Sequence, residues 1–186
     1  MRKTCDFDAA RNINTPVGVL GLCARGGRLV AVKFAAVDEF GWDPALDIVQ
    51  RQLEEYFAGT RRDFQVPMDA GGTAFQRKCW QALLEIPYGE SRSYSDIARK
   101  VGSPKGVRAV GMANHVNPIP VIIPCHRVVG KDGDLTGYAG GLEMKKWLLD
   151  HEKRNKLRNS AGALSPAGFF VENCEDLSDH KTKTGF

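Results

Sequence analysis

Long apolar runs are missing from this 186-residue chain. No stretch approaches the roughly 20 consecutive apolar residues of a membrane helix, which excludes that class of protein. An apolar segment is also missing behind Arg2 and Lys3, where Asp6 and Asp8 stand instead. This argues against a secretory leader, and the expected location is intracellular: cytoplasm or nucleoid, or nucleus in a eukaryote. Cysteines are few, odd in number and scattered (Cys5, Cys23, Cys79, Cys125, Cys174). They form no disulfide framework and fit a reducing compartment. Acidic residues are short in one region only. Residues 1–72 hold nine Lys/Arg against ten Asp/Glu, and residues 159–186 hold two against four, but residues 73–158 hold fifteen against eight. The basic excess of the chain therefore lies in its middle, as in a module that faces nucleic acid.

What is present in that basic segment is Pro124-Cys125-His126-Arg127-Val128, entered through Ile119-Pro120-Val121-Ile122-Ile123. The apolar run reads as a strand that delivers the cysteine. A thiolate is the reactive form of cysteine, and a free thiol has a pKa of about 8.5, so a base or a cation beside it marks a nucleophile. Taken alone, Cys125-His126 is also compatible with a buried core cysteine next to a satisfied histidine.

The local patterns divide the chain in the same way. Val19-Leu20-Gly21-Leu22-Cys23 and Leu29-Val30-Ala31-Val32-Lys33-Phe34 flank Gly26-Gly27, a hairpin signature. Leu46, Val49, Leu53 and Phe57 recur at helical spacing before Gly59. Residues 61–72, with Pro67 and a glycine pair, read as a linker. The expectation is a small α/β N-terminal domain over residues 1–72, then a mainly helical domain over 73–158 and a tail over 159–186. In the second domain, residues 75–86 read as an amphipathic helix. Ser93 caps a further helix with Asp96 as its capping-box partner, and Ser103-Pro104 opens another that runs to Asn114. Two short helices joined by a glycine-containing turn make a helix-turn-helix, the second being the reader. Gly106, Ala109, Gly111 and Ala113 would leave one face of that reader bare, for either another helix or a DNA groove.

Residues 73–152 resemble the C-terminal domain of the O6-alkylguanine-DNA alkyltransferases, or methylated-DNA–protein-cysteine methyltransferases. The resemblance rests on Phe75-Gln76, Trp80, Ile86-Pro87-Tyr88-Gly89, Ser93-Tyr94, Arg108-Ala109-Val110-Gly111 and Asn117-Pro118. It continues through Ile123-Pro124-Cys125-His126-Arg127-Val128, Thr136-Gly137-Tyr138-Ala139-Gly140-Gly141-Leu142, Lys145, Trp147-Leu148-Leu149 and Glu152. Residues 1–72 are similar to the family's variable N-terminal domain more loosely, through Thr15-Pro16-Val17-Gly18 and Glu55-Tyr56-Phe57.

The resemblance implies a fold, a reaction and a set of roles. The fold is an α/β N-terminal domain followed by a mainly α, winged-helix-like helix-turn-helix domain that carries the site. The reaction is irreversible transfer of an alkyl group from O6-alkylguanine, and from O4-alkylthymine, in duplex DNA to Cys125, once per molecule. His126 would act through water as base, Glu152 would orient it, and Asn117 would order the turn that holds the cysteine. Cys125 would then titrate well below the free-thiol value. Arg108 on the reader helix, in the minor groove, would replace the extruded nucleotide, and Tyr94 would crowd the phosphate. Ser93, Lys105, Ala109, Asn114 and His115 complete the implied DNA surface. Tyr94, Met112, Val128, Tyr138 and Ala139 complete the implied base pocket.

Departures are informative too. Some relatives hold a structural zinc through N-terminal Cys and His ligands. Here Cys5 and Cys23 fall near the cysteine positions, but His115, His126, His151 and His180 all lie later in the chain. Two ligands of four do not hold zinc, so no metal is expected. No cofactor, membrane or obligate protein partner is expected either, and the chain reads as a monomer whose partner is double-stranded DNA. Two other readings compete. A non-catalytic lesion-binding relative would replace the nucleophile, which Cys125 opposes. A Cys-His hydrolase would leave the helix-turn-helix unexplained.

Overall fold

The structure, a computed structural model, describes residues 7–161. Three antiparallel strands come first: β1 (Ala9–Thr15), β2 (Gly18–Arg25) and β3 (Arg28–Lys33), in the order β1-β2-β3. The hairpin at Gly26-Gly27 forms where the glycine pair places it, with both residues at positive φ. Helix α1 (Pro44–Phe57) lays Leu46, Val49, Leu53 and Tyr56 on the sheet. Its N-cap, Asp43, accepts from Ala45 N with one oxygen and from Gly27 N with the other, tying the helix start to the hairpin.

Residues 61–72 have linker composition but are not loose. Leu29 N donates to Pro67 O and Asp69 N donates to Leu29 O, so this stretch runs parallel to β3. The side chain of Gln52 holds the backbone of Gln65 in both directions, at 2.9 and 2.8 Å.

The helical part follows. Helix α2 (Ala74–Leu84) starts at a Thr73/Gln76 capping box that the sequence reading overlooked. Helix α3 (Tyr94–Lys100) starts at the Ser93/Asp96 capping box as expected. Helix α4 (Val107–His115) begins later than expected: Gly106 is its N-cap, with no side-chain cap, and Ser103-Pro104 stay in the preceding turn. Ser103 O accepts from Gly106 N, which closes that turn before the helix can begin. The last helix, α5 (Leu142–Ala161), runs three residues past the expected tail boundary at 159. The rest of the tail lies outside the described residues, as do Cys5 and the remainder of the N-terminus. Two short strands, β4 (Arg92–Ser93) and β5 (Val128–Val129), pair in parallel and clip the helix-turn-helix to the segment after Cys125.

One continuous apolar cluster runs from Leu20, Leu22 and Leu29 in the sheet to Leu83, Ile97, Val110 and Leu148 in the helices. Val32 N donates to Pro118 O at 2.8 Å, so the sheet edge is bonded directly to the segment that leads to Cys125. No helix among the described residues is long and apolar enough to cross a membrane.

Candidate active site

Residues 119–123 are not a strand. Ile123 N donates to Ile119 O, and Pro120 bridges Ile123, so the apolar run doubles back as a tight turn. Val121 sits at φ 73°, a left-handed conformation that costs a β-branched residue on the order of 1–3 kcal/mol. Complete burial of Val121 and the amide of Asn117 hold it there. Asn117 Oδ1 accepts from Ile119 N at 3.1 Å, while Nδ2 donates to Ile123 O at 2.9 Å and to Cys125 Sγ at 3.2 Å. One buried amide thus closes the turn and touches the cysteine sulfur. Cys125 opens a single 3-10 turn, Cys125–Arg127, whose end is marked by Val128 N donating to Cys125 O.

Behind the sulfur lies a buried charged cluster. His126 and Glu152 are both fully buried, with His126 Nε2 2.8 Å from Glu152 Oε1. Arg127 grips the same carboxylate from the other side, through Nε to Oε2 at 2.9 Å and Nη2 to Oε1 at 3.0 Å, and its Nη1 donates to Ile86 O. Tyr56 OH donates to Glu152 Oε1 at 2.8 Å, and Gly89 N donates to Oε2 at 2.9 Å. Burial alone pushes the Glu152 carboxyl upward, but His126 and Arg127 together hold it well below the usual carboxylate range. Burial pushes His126 below its ordinary value even against the pull of Glu152, so the ring is neutral near pH 7. With Glu152 as acceptor, the single ring proton sits on Nε2, and Nδ1 carries the free lone pair. That Nδ1 is buried and has no hydrogen-bond partner among the described residues.

The cysteine departs from expectation. Burial pushes the Cys125 thiol up to about 11, and the Asn117 amide and the Lys145 charge offset only part of this. Among the described residues no ion pair reaches the sulfur: Arg127 and the neutral ring of His126 are both engaged with Glu152. The resting thiol is therefore protonated. Its folded pKa lies above that of a free thiol, so its contribution to stability is fully present below the free-thiol pKa and is lost as pH rises toward 11. We expect the unfolding free energy of wild type to fall more steeply than that of Cys125→Ala between pH 9 and pH 11. The divergence should reach roughly 2–3 kcal/mol, and parallel curves from urea titrations would contradict it.

Lys145, whose charge acts on Cys125, is fully buried and donates to Thr136 O at 2.8 Å. The ring of Tyr94 lies 5.8 Å from Lys145 Nζ, and its hydroxyl is 3.5 Å from Thr136 O. The Tyr138 hydroxyl is buried without a partner among the described residues, and burial raises its pKa. Phe34, at the end of β3, packs on Tyr138 with ring centroids 5.5 Å apart. A Cβ at Gly140 would meet Met144 Sδ and press on Phe34, so a larger residue there would require the Met144 side chain to move. Val128 is buried and Ala139 is exposed.

On α4 the glycines and alanines do not share a bare face. Ala113 is buried in the core and Gly106 sits against Ser103, while Ala109 is exposed. The exposed ridge carries Lys105, Arg108, Ala109, Met112 and His115. Met112, expected as a pocket wall, is 61% exposed on this ridge. Asn114, expected at the DNA surface, is turned inward, with both amide atoms buried and without partners among the described residues. The difference is helical phase, since Val110, Ala113 and Asn114 form the inward side of α4. Ser93, also expected at the DNA surface, has its hydroxyl engaged with Asp96 in the α3 cap. Arg127, Tyr56 and Lys145 received no role from the sequence. Arg127 could have been found, because an arginine in an apolar segment needs a carboxylate. Tyr56 stands in the Glu55-Tyr56-Phe57 segment of the resemblance, but nothing local ties it to a partner 96 positions away.

Comparison with known proteins agrees with this geometry. Residues 74–154 match the family described as 6-O-methylguanine DNA methyltransferase, DNA binding domain, and residues 11–70 match its ribonuclease-like domain. The chain is 48% identical over 151 residues to the constitutive methylated-DNA–protein-cysteine methyltransferase of Bacillus subtilis, covering 75% of this chain and 92% of that protein. It is 46% identical to the methylated-DNA–protein-cysteine methyltransferase of Mycobacterium leprae, covering 79% of this chain and 93% of that one. The crystal structure of Mycobacterium tuberculosis OGT in complex with DNA superposes with a TM-score of 0.73 at 45% identity, over 78% of this chain and 93% of that one. An α/β part followed by a helix-turn-helix part, a buried Cys-His-Glu constellation and these relatives agree: the chain belongs to the methylated-DNA–protein-cysteine methyltransferase family.

Proposed function

We propose that this chain repairs alkylated DNA by moving the alkyl group from O6 of guanine onto Sγ of Cys125, and that Cys125, His126, Glu152 and Asn117 carry the reaction. The observation behind this reading is a thiol and a neutral imidazole, both buried, with the imidazole proton anchored on a carboxylate and its free lone pair on the other nitrogen. His126 Nδ1 takes the thiol proton, directly or through water, and Glu152 stabilises the imidazolium that forms. The thiolate attacks the alkyl carbon in line with the C–O6 bond. That bond breaks toward oxygen, and the proton taken from sulfur returns to N1 of the departing guanine. The product is a thioether that water does not cleave, so each molecule acts once.

The resting thiol pKa of about 11 fits this order of events. The proton leaves when the substrate is in place, not before. Asn117 Nδ2, already 3.2 Å from Sγ, is placed to donate to the thiolate. Tyr94, Val128, Tyr138 and Ala139 shape the base pocket in this reading. Asn114 takes the inward position on α4 that had been assigned to Met112.

Duplex DNA lies along the exposed ridge of α4, with Lys105 and His115 toward phosphate and Arg108 in the space of the extruded nucleotide. Extrusion from a stack costs a few kcal/mol, which a free base does not incur. Arg108→Ala should slow transfer from a methylated duplex by tenfold or more, while the rate with free O6-benzylguanine stays within about twofold of wild type. Single-turnover kinetics on both substrates test this. Equal slowing on both would make Arg108 a structural residue and remove the extrusion role.

A further inference from the structure

We propose that Tyr56, on α1 of the sheet-bearing part, is a positioning residue for alkyl transfer: its hydroxyl pins the Glu152 oxygen that faces His126. The inference rests on the reading of Cys125, His126 and Glu152 given above.

Glu152 Oε1 is 2.8 Å from His126 Nε2 and 2.8 Å from Tyr56 OH. Histidine and tyrosine thus share one oxygen, while Gly89 N takes the other and Arg127 spans both. A second bond doubles the grip. The Tyr56 carbonyl accepts from Nε2 of His151, the residue before Glu152, at 2.8 Å. One residue of α1 therefore holds two consecutive residues of α5.

Packing does not account for the hydroxyl. Tyr56 is fully buried among the rings of Phe57, Phe64, Tyr88 and His151, and a phenylalanine would fill the same space. Nor is the hydroxyl needed to neutralise Glu152, which already has the Arg127 guanidinium and a backbone N–H. What the hydroxyl adds is a donor on the oxygen that sets the state of His126. Burial, then the charge of Glu152, keeps the Tyr56 proton on the phenol, so it donates throughout the working pH range.

The charged and titratable groups around His126 are Glu152 and Lys145 from α5 and Arg127 from its own turn. Cys125 precedes it in the same turn, and Tyr56 from α1 and Tyr88 from the 85–91 turn face the carboxylate. The only anion among them is Glu152. Without the Tyr56 hydroxyl, Oε1 presents more charge to His126 and is free to shift along the Arg127 fork. The ring then holds a proton at higher pH, and a protonated ring cannot accept the thiol proton.

The test is the transfer rate from free O6-benzylguanine against pH, for full-length wild type, Tyr56→Phe, Glu152→Gln and the double variant, with a thermal melt of each. Tyr56→Phe should slow transfer at pH 7 roughly three- to tenfold, as expected for one hydrogen bond, and move the acid limb of the profile upward. In the Glu152→Gln background the same substitution should change the rate less than about twofold, because the two residues act as a unit. A wild-type rate and profile for Tyr56→Phe would overturn the proposal, as would an undiminished loss in the Glu152→Gln background. If Tyr56→Phe does not fold, 3-fluorotyrosine placed at position 56 keeps the ring and strengthens the donor. The acid limb must then move downward, and an unmoved limb overturns the proposal. Glu152→Gln with a wild-type profile would instead overturn the relay itself. An altered Glu152→Gln beside a normal Tyr56→Phe would overturn only the role of Tyr56.

Discussion

Incubated with excess O6-benzylguanine, the protein will gain one benzyl group per molecule, and peptide mapping will place it on Cys125 alone. Cys23 and Cys79 are as buried as Cys125. Burial alone raises the Cys79 pKa, whereas at Cys125 the Asn117 amide and the Lys145 charge partly offset burial. Cys125→Ala should therefore lose transfer entirely, to below about one part in a thousand of the wild-type rate, while duplex binding through α4 is retained. The sulfur is not needed for the fold of α4, whose inward side packs through Val110 and Ala113. Benzylation of Cys79, or more than one product per molecule, would refute the assignment of the nucleophile.

The second large effect concerns stability. Arg127→Met should cost about 3–5 kcal/mol of unfolding free energy, because it leaves the Glu152 charge buried with its guanidinium partner gone. It also orphans Ile86 O, which accepts from Nη1 at 2.6 Å. Against the 5–15 kcal/mol typical of a folded domain, this is a large fraction of the total. Urea unfolding monitored by circular dichroism would measure it as a lower midpoint with an unchanged slope. A loss below 1 kcal/mol would mean that His126, Tyr56 and Gly89 satisfy the carboxylate without Arg127. Glu152→Gln is the complementary variant: it keeps an acceptor but leaves the buried Arg127 guanidinium without its counter-charge, and it should destabilise too.

The sequence made the site legible where chemistry is local and less so where it is assembled. Cys125, His126 and Asn117 lie within nine positions of one another, and the structure joins Asn117 to Cys125 by a 3.2 Å contact. The hairpin at Gly26-Gly27 and the Ser93/Asp96 cap were legible for the same reason, each being decided by a few adjacent residues. The turn at 119–123 was misread because Ile, Val and Pro in a row suit a buried strand equally well. Only the amide of Asn117, placed in space, shows that the chain doubles back. On α4 the error was phase, since Gly, Ala and Met do not announce which side faces inward. The thiol pKa could not be read from a neighbouring histidine, because Glu152, 26 positions away, holds one ring nitrogen and burial keeps the ring neutral, so it is not a cation beside the sulfur.

The raised thiol pKa bears on how long an unused molecule lasts. Oxidants and soluble electrophiles attack thiolates, and at neutral pH a thiol with a pKa near 11 offers about one thiolate in ten thousand molecules. Cys125 is also buried, which makes it hard for such reagents to reach. In the single-use reaction proposed above, dormancy of the thiol is a form of preservation. On that reading, peroxide and general alkylating agents should modify Cys125 far more slowly than alkylated guanine does.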